Sequence, residues 1–260
     1  MIEFLTTCLD IIIEYWPSLL LGIRTTLLIA LIGTFLGLAL GLVVGGLKAI
    51  TLDQNASPII RFVKKTFDIL STIYIEVFRG TPMMVQAVFL YYALRPVFNW
   101  TNTIAAIFII SVNTGAYMSE IVRSGIQAVD KGQTEAARSL GMSSVQTMML
   151  VVLPQAIKNA FPAIGNEFIV NIKDSSVLMI ISITELMFQS KSIAGSTFRF
   201  VETYFVTACV YLMMTLATSF VLRWIEGKMN KTTHSYPASV TVPGSVNLAN
   251  KKEEEHDGRY

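Results

Sequence analysis

Of 260 residues, 53% are hydrophobic and only 15% charged, against roughly 25% charged in an ordinary soluble chain, which excludes a water-soluble globular body. The formal charge of +2 is too small, and the basic residues too scattered, for a nucleic-acid face. Cys8 and Cys209 sit in apolar surroundings and form neither a disulfide framework nor a metal spacing.

With a mean hydropathy of +0.56, lipid is the expected solvent, each crossing taking roughly 20 apolar residues. Residues 1–16 place Glu3, Asp10 and Glu14 near one face of a helix with Ile and Leu opposite, as in an amphipathic segment on the outer surface. The start lacks the basic region and small-residue cleavage site of a secretory signal, so the first span is expected to be retained. That span runs over about 17–47, with no charge from Thr25 to Leu47. The second, about 62–98, is an interrupted helix: it carries Asp68, Glu76 and Arg79 and breaks at Gly80-Thr81-Pro82. A third covers about 103–123. A polar, helix-prone stretch over 127–146 lies outside the bilayer. The fourth, about 161–187, is interrupted by Lys173-Asp174, and the fifth covers about 203–222. Residues 229–260, mixing Ser, Pro, Gly and a Lys-Lys-Glu-Glu-Glu run, read as a disordered tail.

Lys and Arg concentrate after spans one, three and five, which puts those connections in the cytoplasm, the N-terminus outside and the C-terminus inside. Trp16 and Trp100 suit an outer aromatic belt and Trp224 an inner one. Gly33, Gly37, Gly41 and Gly45 form one ridge on span one; it is either a close helix-packing surface or the ordinary small-residue content of a membrane helix. Polar side chains fall on single faces: Asp68, Thr72, Glu76 and Arg79 on span two, Asn113, Tyr117 and Glu120 on span three, and Glu167, Asn171, Asp174 and Ser175 on span four. Glu76 and Arg79 are i, i+3 neighbours able to pair. Such stripes either line a translocation path or only bond helices together. No nucleophile–base set, metal cluster or phosphate loop is present, so the chain does not read as an enzyme and no cofactor is expected on it.

Residues 127–154 read QAVDKGQTEAARSLGMSSVQTMMLVVLP. This resembles the EAA loop of ATP-binding-cassette importer permeases in residue type and spacing: Glu135-Ala136-Ala137, Gly141, Val151 and Leu153-Pro154, with Val151 for an Ile as the one departure. Residues 76–86, EVFRGTPMMVQ, and 166–178, NEFIVNIKDSSVL, resemble segments of the permeases for polar amino acids.

The resemblance spans about 17–228 and implies an all-α type I importer permease with five transmembrane helices in a bacterial inner membrane. It further implies a second permease subunit, identical or related, two cytoplasmic ATPases that hold ATP and Mg, and an extracytoplasmic solute-binding protein. Carried over by residue, Glu135, Ala136, Ala137, Arg138 and Gly141 become the ATPase-coupling surface, two short helices broken at Gly141. Glu76, Thr81, Gln86, Asp174 and Ser175 become substrate contacts, and Arg79 either holds a substrate carboxylate or neutralises Glu76 and braces the break. The carboxylates suit a polar or basic amino acid. Two rival classes are an ion-coupled carrier, which usually shows internal repeats absent here, and a non-transporting assembly subunit.

Overall fold

Helices begin where the sequence supplies a cap or a proline. The Ser57 and Thr101 side chains accept from the N–H groups of Ile60 and Ile104, and Pro17 and Pro58 occupy first-turn positions whose N–H has no intrahelical partner. The structure is a computed structural model that describes residues 2–50, 52 and 57–231; tail residues 232–260 lie outside these. The chain divides into two units, 1–226 and 227–260, and the architecture given is that of the first. The described residues form helices and no strand: α1 (Ile2–Glu14), α2 (Trp16–Ala49), α3 (Pro58–Gly80), α4 (Met83–Phe98), α5 (Asn102–Gln127), α6 (Lys131–Ser139), α7 (Ser144–Thr147), α8 (Leu153–Asp174), α9 (Leu186–Thr197) and α10 (Phe200–Lys231).

The glycine ridge of α2 packs on α5 of the same chain, which decides between its two readings. An added Cβ would meet Ile110 at Gly33, Thr114 at Gly37, Met118 at Gly41 and the Ser119 carbonyl at Gly45. Ridge and partner numbers rise together, so α2 and α5 run in the same direction and α3–α4 returns between them. Helix α8 runs against α5: Gly125 abuts Ala156 and Ala160, Met118 clusters with Ala160 and Ile164, and Thr114 bonds Asn171. Helix α10 in turn opposes α8, with Gly165 beside Leu222 while Ile172 clusters with Val206 and Val210. Phe35, Phe89, Leu216 and Phe220 stay exposed, as side chains facing lipid do.

Among the described residues four segments are long and apolar enough to cross a membrane: Trp16–Ala49, Asn102–Gln127, Ser144–Ile181 and Phe200–Met229. The interrupted second span is the pair α3 and α4, 23 and 16 residues long. Helix α3 is too polar to count alone, and α4 falls among the shorter apolar helices. The fourth span differs from expectation at its start. It starts as a π-helical turn over Met148–Val152, because Pro154 donates no hydrogen bond to the turn before it. The α-helix ends at Asp174, where the sequence places its interruption, and gives way to a 3₁₀ helix over Ser175–Ile181 that ends at Ser182 in the left-handed region.

Helix α1 has three faces rather than two. Cys8 and Ile11 pack into the core, with Phe4 edge-on to Phe205; Ile2, Leu5, Leu9 and Ile13 are exposed; Glu3, Asp10 and Glu14 form the third face. Trp16 and Trp224 are exposed, whereas Trp100 is half-buried between Phe98 and Phe108.

Candidate functional site

A helix that stops inside a low-dielectric bundle leaves carbonyls to be satisfied. At the α3–α4 break the work falls to Gln86. Its Nε2 donates to the Phe78 carbonyl at 2.9 Å, the Thr81 carbonyl at 2.9 Å and Thr81 Oγ1 at 2.7 Å. Its Oε1 accepts from Asn113 Nδ2 of α5 at 2.8 Å. Thr81 Oγ1 donates to the Val77 carbonyl. Gln86 is therefore buried and fully engaged in holding the break, while Thr81 and Glu76 are exposed beside it.

Arg79 turns away from Glu76. Its guanidinium lies 3.9 Å from Glu120 of α5 and 5.6 Å from the Tyr117 ring centroid. Side chains on a helix lean toward its N-terminus, so a residue in the last turn of α3 reaches back along α5, to where Glu120 stands. Arg123 grips Glu120 more closely, with Nη2 at 2.7 Å and Nε at 3.2 Å. The face Asn113, Tyr117, Glu120 thus serves the break along its length, and Ser124 continues it by one turn. Around Arg79, Tyr117, Glu120, Ser124, Asn159 and Ala163 lies a cavity of about 430 Å³ between α5 and α8.

The α8 stripe divides by residue. Asn171 is structural: its Nδ2 donates to Thr34 Oγ1 of α2 at 2.8 Å and its Oδ1 accepts from Thr114 of α5 at 3.1 Å. Ser175 is buried and donates to the Ile172 carbonyl. Glu167, 9% exposed, and Asp174, half-buried, have no hydrogen-bond or ion-pair partner among the described residues. Two low-exposure carboxylates thus share one helix face, with Lys173 as the basic neighbour that acts on Asp174 electrostatically.

The coupling segment is built from caps. Asp130 accepts from Gly132 N–H to open α6. The end of α6 is a Schellman turn, with Met142 N–H to the Ala137 carbonyl and Gly141 N–H to the Arg138 carbonyl, which requires the φ of +82° that Gly141 supplies. Ser143 and Gln146 close a reciprocal capping box that starts α7. Two short helices broken at Gly141 are thus present where the sequence put them. Glu135, Ala136 and Gly141 are exposed, and Arg138 donates to Ser144 across the turn. Ala137 instead is buried at 5% exposure, beneath the face the others display. Val129, Val152 and Ala156, with Ile126 and Met148, anchor the segment to the ends of α5 and α8.

Sequence reasoning passed over Glu185. It is fully buried and caps α9, accepting from Met187 N–H at 2.8 Å, Phe188 N–H at 2.7 Å and Tyr211 Oη at 3.0 Å. A Glu preceding an apolar run was its only signal, hidden inside the expected fourth span.

Residues 55–231 match the family of binding-protein-dependent transport system inner membrane components. The glutamine transport system permease protein of Escherichia coli (strain K12) is 36% identical over 220 residues, covering 82% of this chain and 95% of that relative. A probable amino-acid permease of Bacillus subtilis (strain 168) is 33% identical over 226 residues, covering 85% and 96%. Among solved structures, an amino acid ABC transporter with histidines matches at TM-score 0.72 and 38% identity over 84% of this chain and 96% of that one. An inward-facing methionine ABC transporter shares the fold at TM-score 0.68 and 19% identity, over 83% and 98%.

Proposed function

The chain belongs to the family of binding-protein-dependent transport system inner membrane components, the membrane-embedded permease subunits of ATP-binding-cassette importers, and we propose that it carries a polar amino acid, basic ones included, into the cytoplasm of a bacterium. The observation that carries this reading is the pairing of the exposed α6–α7 coupling segment with the unpartnered Glu167 and Asp174 on α8, the helix that continues from it.

In this reading the chain crosses the inner membrane five times, N-terminus outside and C-terminus inside. The shared direction of α2 and α5 and the alternation of α5, α8 and α10 support it, as does the distribution of basic residues. The permease works as a pair, with itself or a sister chain, on two ATPase subunits that hold ATP and Mg. Glu135, Ala136, Arg138 and Gly141 are their docking surface, with Ala137 setting its shape from beneath. A solute-binding protein presents the amino acid from outside. Asp174 and Glu167 take its ammonium group or a cationic side chain, and Ser175, Thr81, Gln86 and Glu76 shape the way past the break, through the backbone they hold or, for Glu76, through its free carboxylate. ATP binding closes the ATPases, the coupling segments move with them, and the α5 and α8 to which they are anchored rock the path open outward.

The test is ATP-dependent uptake of labelled polar amino acids by the complex in proteoliposomes. Wild type accumulates one or more of them; Asp174→Asn lowers uptake at least about tenfold, as expected for a lost charge-assisted contact. Glu135→Lys combined with Gly141→Asp inserts normally but loses ATPase association and uptake. Uptake that persists when both coupling residues are changed, or that follows an ion gradient with ATP constant, refutes the assignment.

A further inference from the structure

The cavity between α5 and α8 shares a helix face with the two unpartnered carboxylates. On α8, Asn159, Ala163, Glu167 and Asp174 follow i, i+4, i+8 and i+15, all near one side of a 3.6-residue helix. At about 1.5 Å per residue, Glu167 stands roughly 6 Å beyond Ala163 and Asp174 roughly 10 Å beyond Glu167. On α5 the opposing face is Asn113, Tyr117, Glu120 and Ser124. The cavity therefore continues the carboxylate stripe toward the end of the molecule that carries α6 and α7.

Its charge is opposite in kind. Arg123 engages Glu120 through two nitrogens, at 2.7 and 3.2 Å, so that carboxylate is already matched. Arg79 is left with the same group at 3.9 Å and the face of Tyr117. Of the two guanidinium groups only Arg79 lines the cavity, with Glu120 on the same wall; because Arg123 already matches that carboxylate, Arg79 is the cation left to a ligand in about 430 Å³, ample for one amino acid. Ala163 keeps the α8 wall low, and Asn159 adds amide donors to it.

We propose that this cavity is a second solute station, on the cytoplasmic side of Glu167 and Asp174, where Arg79 binds the α-carboxylate of the passing amino acid, with Tyr117 and Asn159 bounding the site. This rests on the transport reading above and adds a division of labour to it. The outer station recognises the solute's positive end and the inner one its negative end, so a zwitterion is passed from one to the other instead of being held by both charges at a single deep site. Arg79 sits at the end of α3, directly before the break, and Glu120 lies on the helix that leads into α6. Occupation of the station accordingly competes with the long Arg79–Glu120 contact that ties those two elements together.

The experiment is equilibrium binding to the complete permease–ATPase complex in nanodiscs, without nucleotide and without binding protein. Labelled L-glutamine and L-histidine are each measured against their α-carboxamides, which keep the ammonium and the side chain and lack the carboxylate. Arg79→Gln is expected to weaken the amino acid about tenfold or more and leave the carboxamide unchanged, because only the former loses a charge-assisted contact. Arg79→Lys, which keeps the charge, restores most of the difference. Asp174→Asn is expected to weaken the carboxamide, which holds only to the outer station, and to leave the Arg79-dependent binding of the amino acid in place; loss of that binding in both variants would mean a single site that holds both charges and would overturn the station. Should Arg79→Gln weaken amino acid and carboxamide alike, Arg79 only braces the break and the station is overturned. It is equally overturned if Arg79→Gln changes neither while Asp174→Asn still weakens both, which leaves the outer site standing. Failure of wild type to bind any amino acid of a panel extended to L-arginine, L-lysine and L-glutamate removes the amino-acid reading itself, and the station with it.

Discussion

A single carboxylate shows how the interior of this bundle is held. Glu185 is inaccessible to solvent and accepts two backbone N–H groups of α9 and the Tyr211 hydroxyl. Next to it the Leu186 N–H donates to Thr26 Oγ1, so the start of α9 is tied to α2 and α10 at once. Glu185→Ala removes the cap and strands all three donors in a buried site, a loss of about 2–4 kcal/mol from one cap and further unpaired groups. Glu185→Gln retains an acceptor oxygen and is expected to lose about half as much. Thermal unfolding of the purified chain in detergent checks the order wild type, Gln, Ala; an Ala variant as stable as wild type refutes the role. Glu76 is the contrast: exposed on α3, it stands among no such donors, and its removal is expected to leave unfolding within about 0.5 kcal/mol of wild type.

Among elements, the α2–α5 contact depends on glycines that are not equivalent. A Cβ at Gly41 runs into Met118 Cβ, the Met118 carbonyl carbon at 2.8 Å and Ser119 N at 2.9 Å, mostly backbone that cannot step aside. At Gly46, five residues on, nothing lies within 4 Å. Gly41→Ala is therefore expected to destabilise by about 1–3 kcal/mol through overpacking. Gly46→Ala is expected to be neutral or to gain up to about 1 kcal/mol in helix propensity. Equal melting shifts for the two would sink the packing account. The four-residue period was legible in the sequence because it is a property of one helix; the partner was not, because it depends on which helix comes alongside. The same holds for Arg79. Its i, i+3 spacing from Glu76 was visible along the chain, whereas Glu120 lies 41 residues away in sequence and only the fold brings it near. The two short helices broken at Gly141 were legible, since the caps and the left-handed glycine that make them are local. Even there, the inward turn of Ala137 needed the ends of α5 and α8 to become apparent.

At the scale of the molecule, the direction of each helix is set by packing and not by charge, so it gives a view of topology separate from the basic-residue count. Helices α2 and α5 run together, α8 opposes α5, and α10 opposes α8. With α3–α4 making one return, the α6–α7 segment lies at one end of the bundle and the turns at Asn99 and Phe198 at the other, which in the proposed topology are the two sides of the membrane. Exposed positions on the two sides are available for labelling: Leu140 at 84% and Phe198 at 81%. The native Cys8 is buried and Cys209 half-buried, which keeps background reaction low. In oriented vesicles, Leu140→Cys is expected to react with an impermeant maleimide only from the cytoplasmic face, and Phe198→Cys only from the outer face. Addition of the ATPase subunits is expected to protect Leu140→Cys, beside Gly141 in the proposed docking surface, and to leave Phe198→Cys unchanged. Labelling of both from one face would mean that α3–α4 or α8 does not cross as the packing directions require, and the five-crossing arrangement would have to be abandoned.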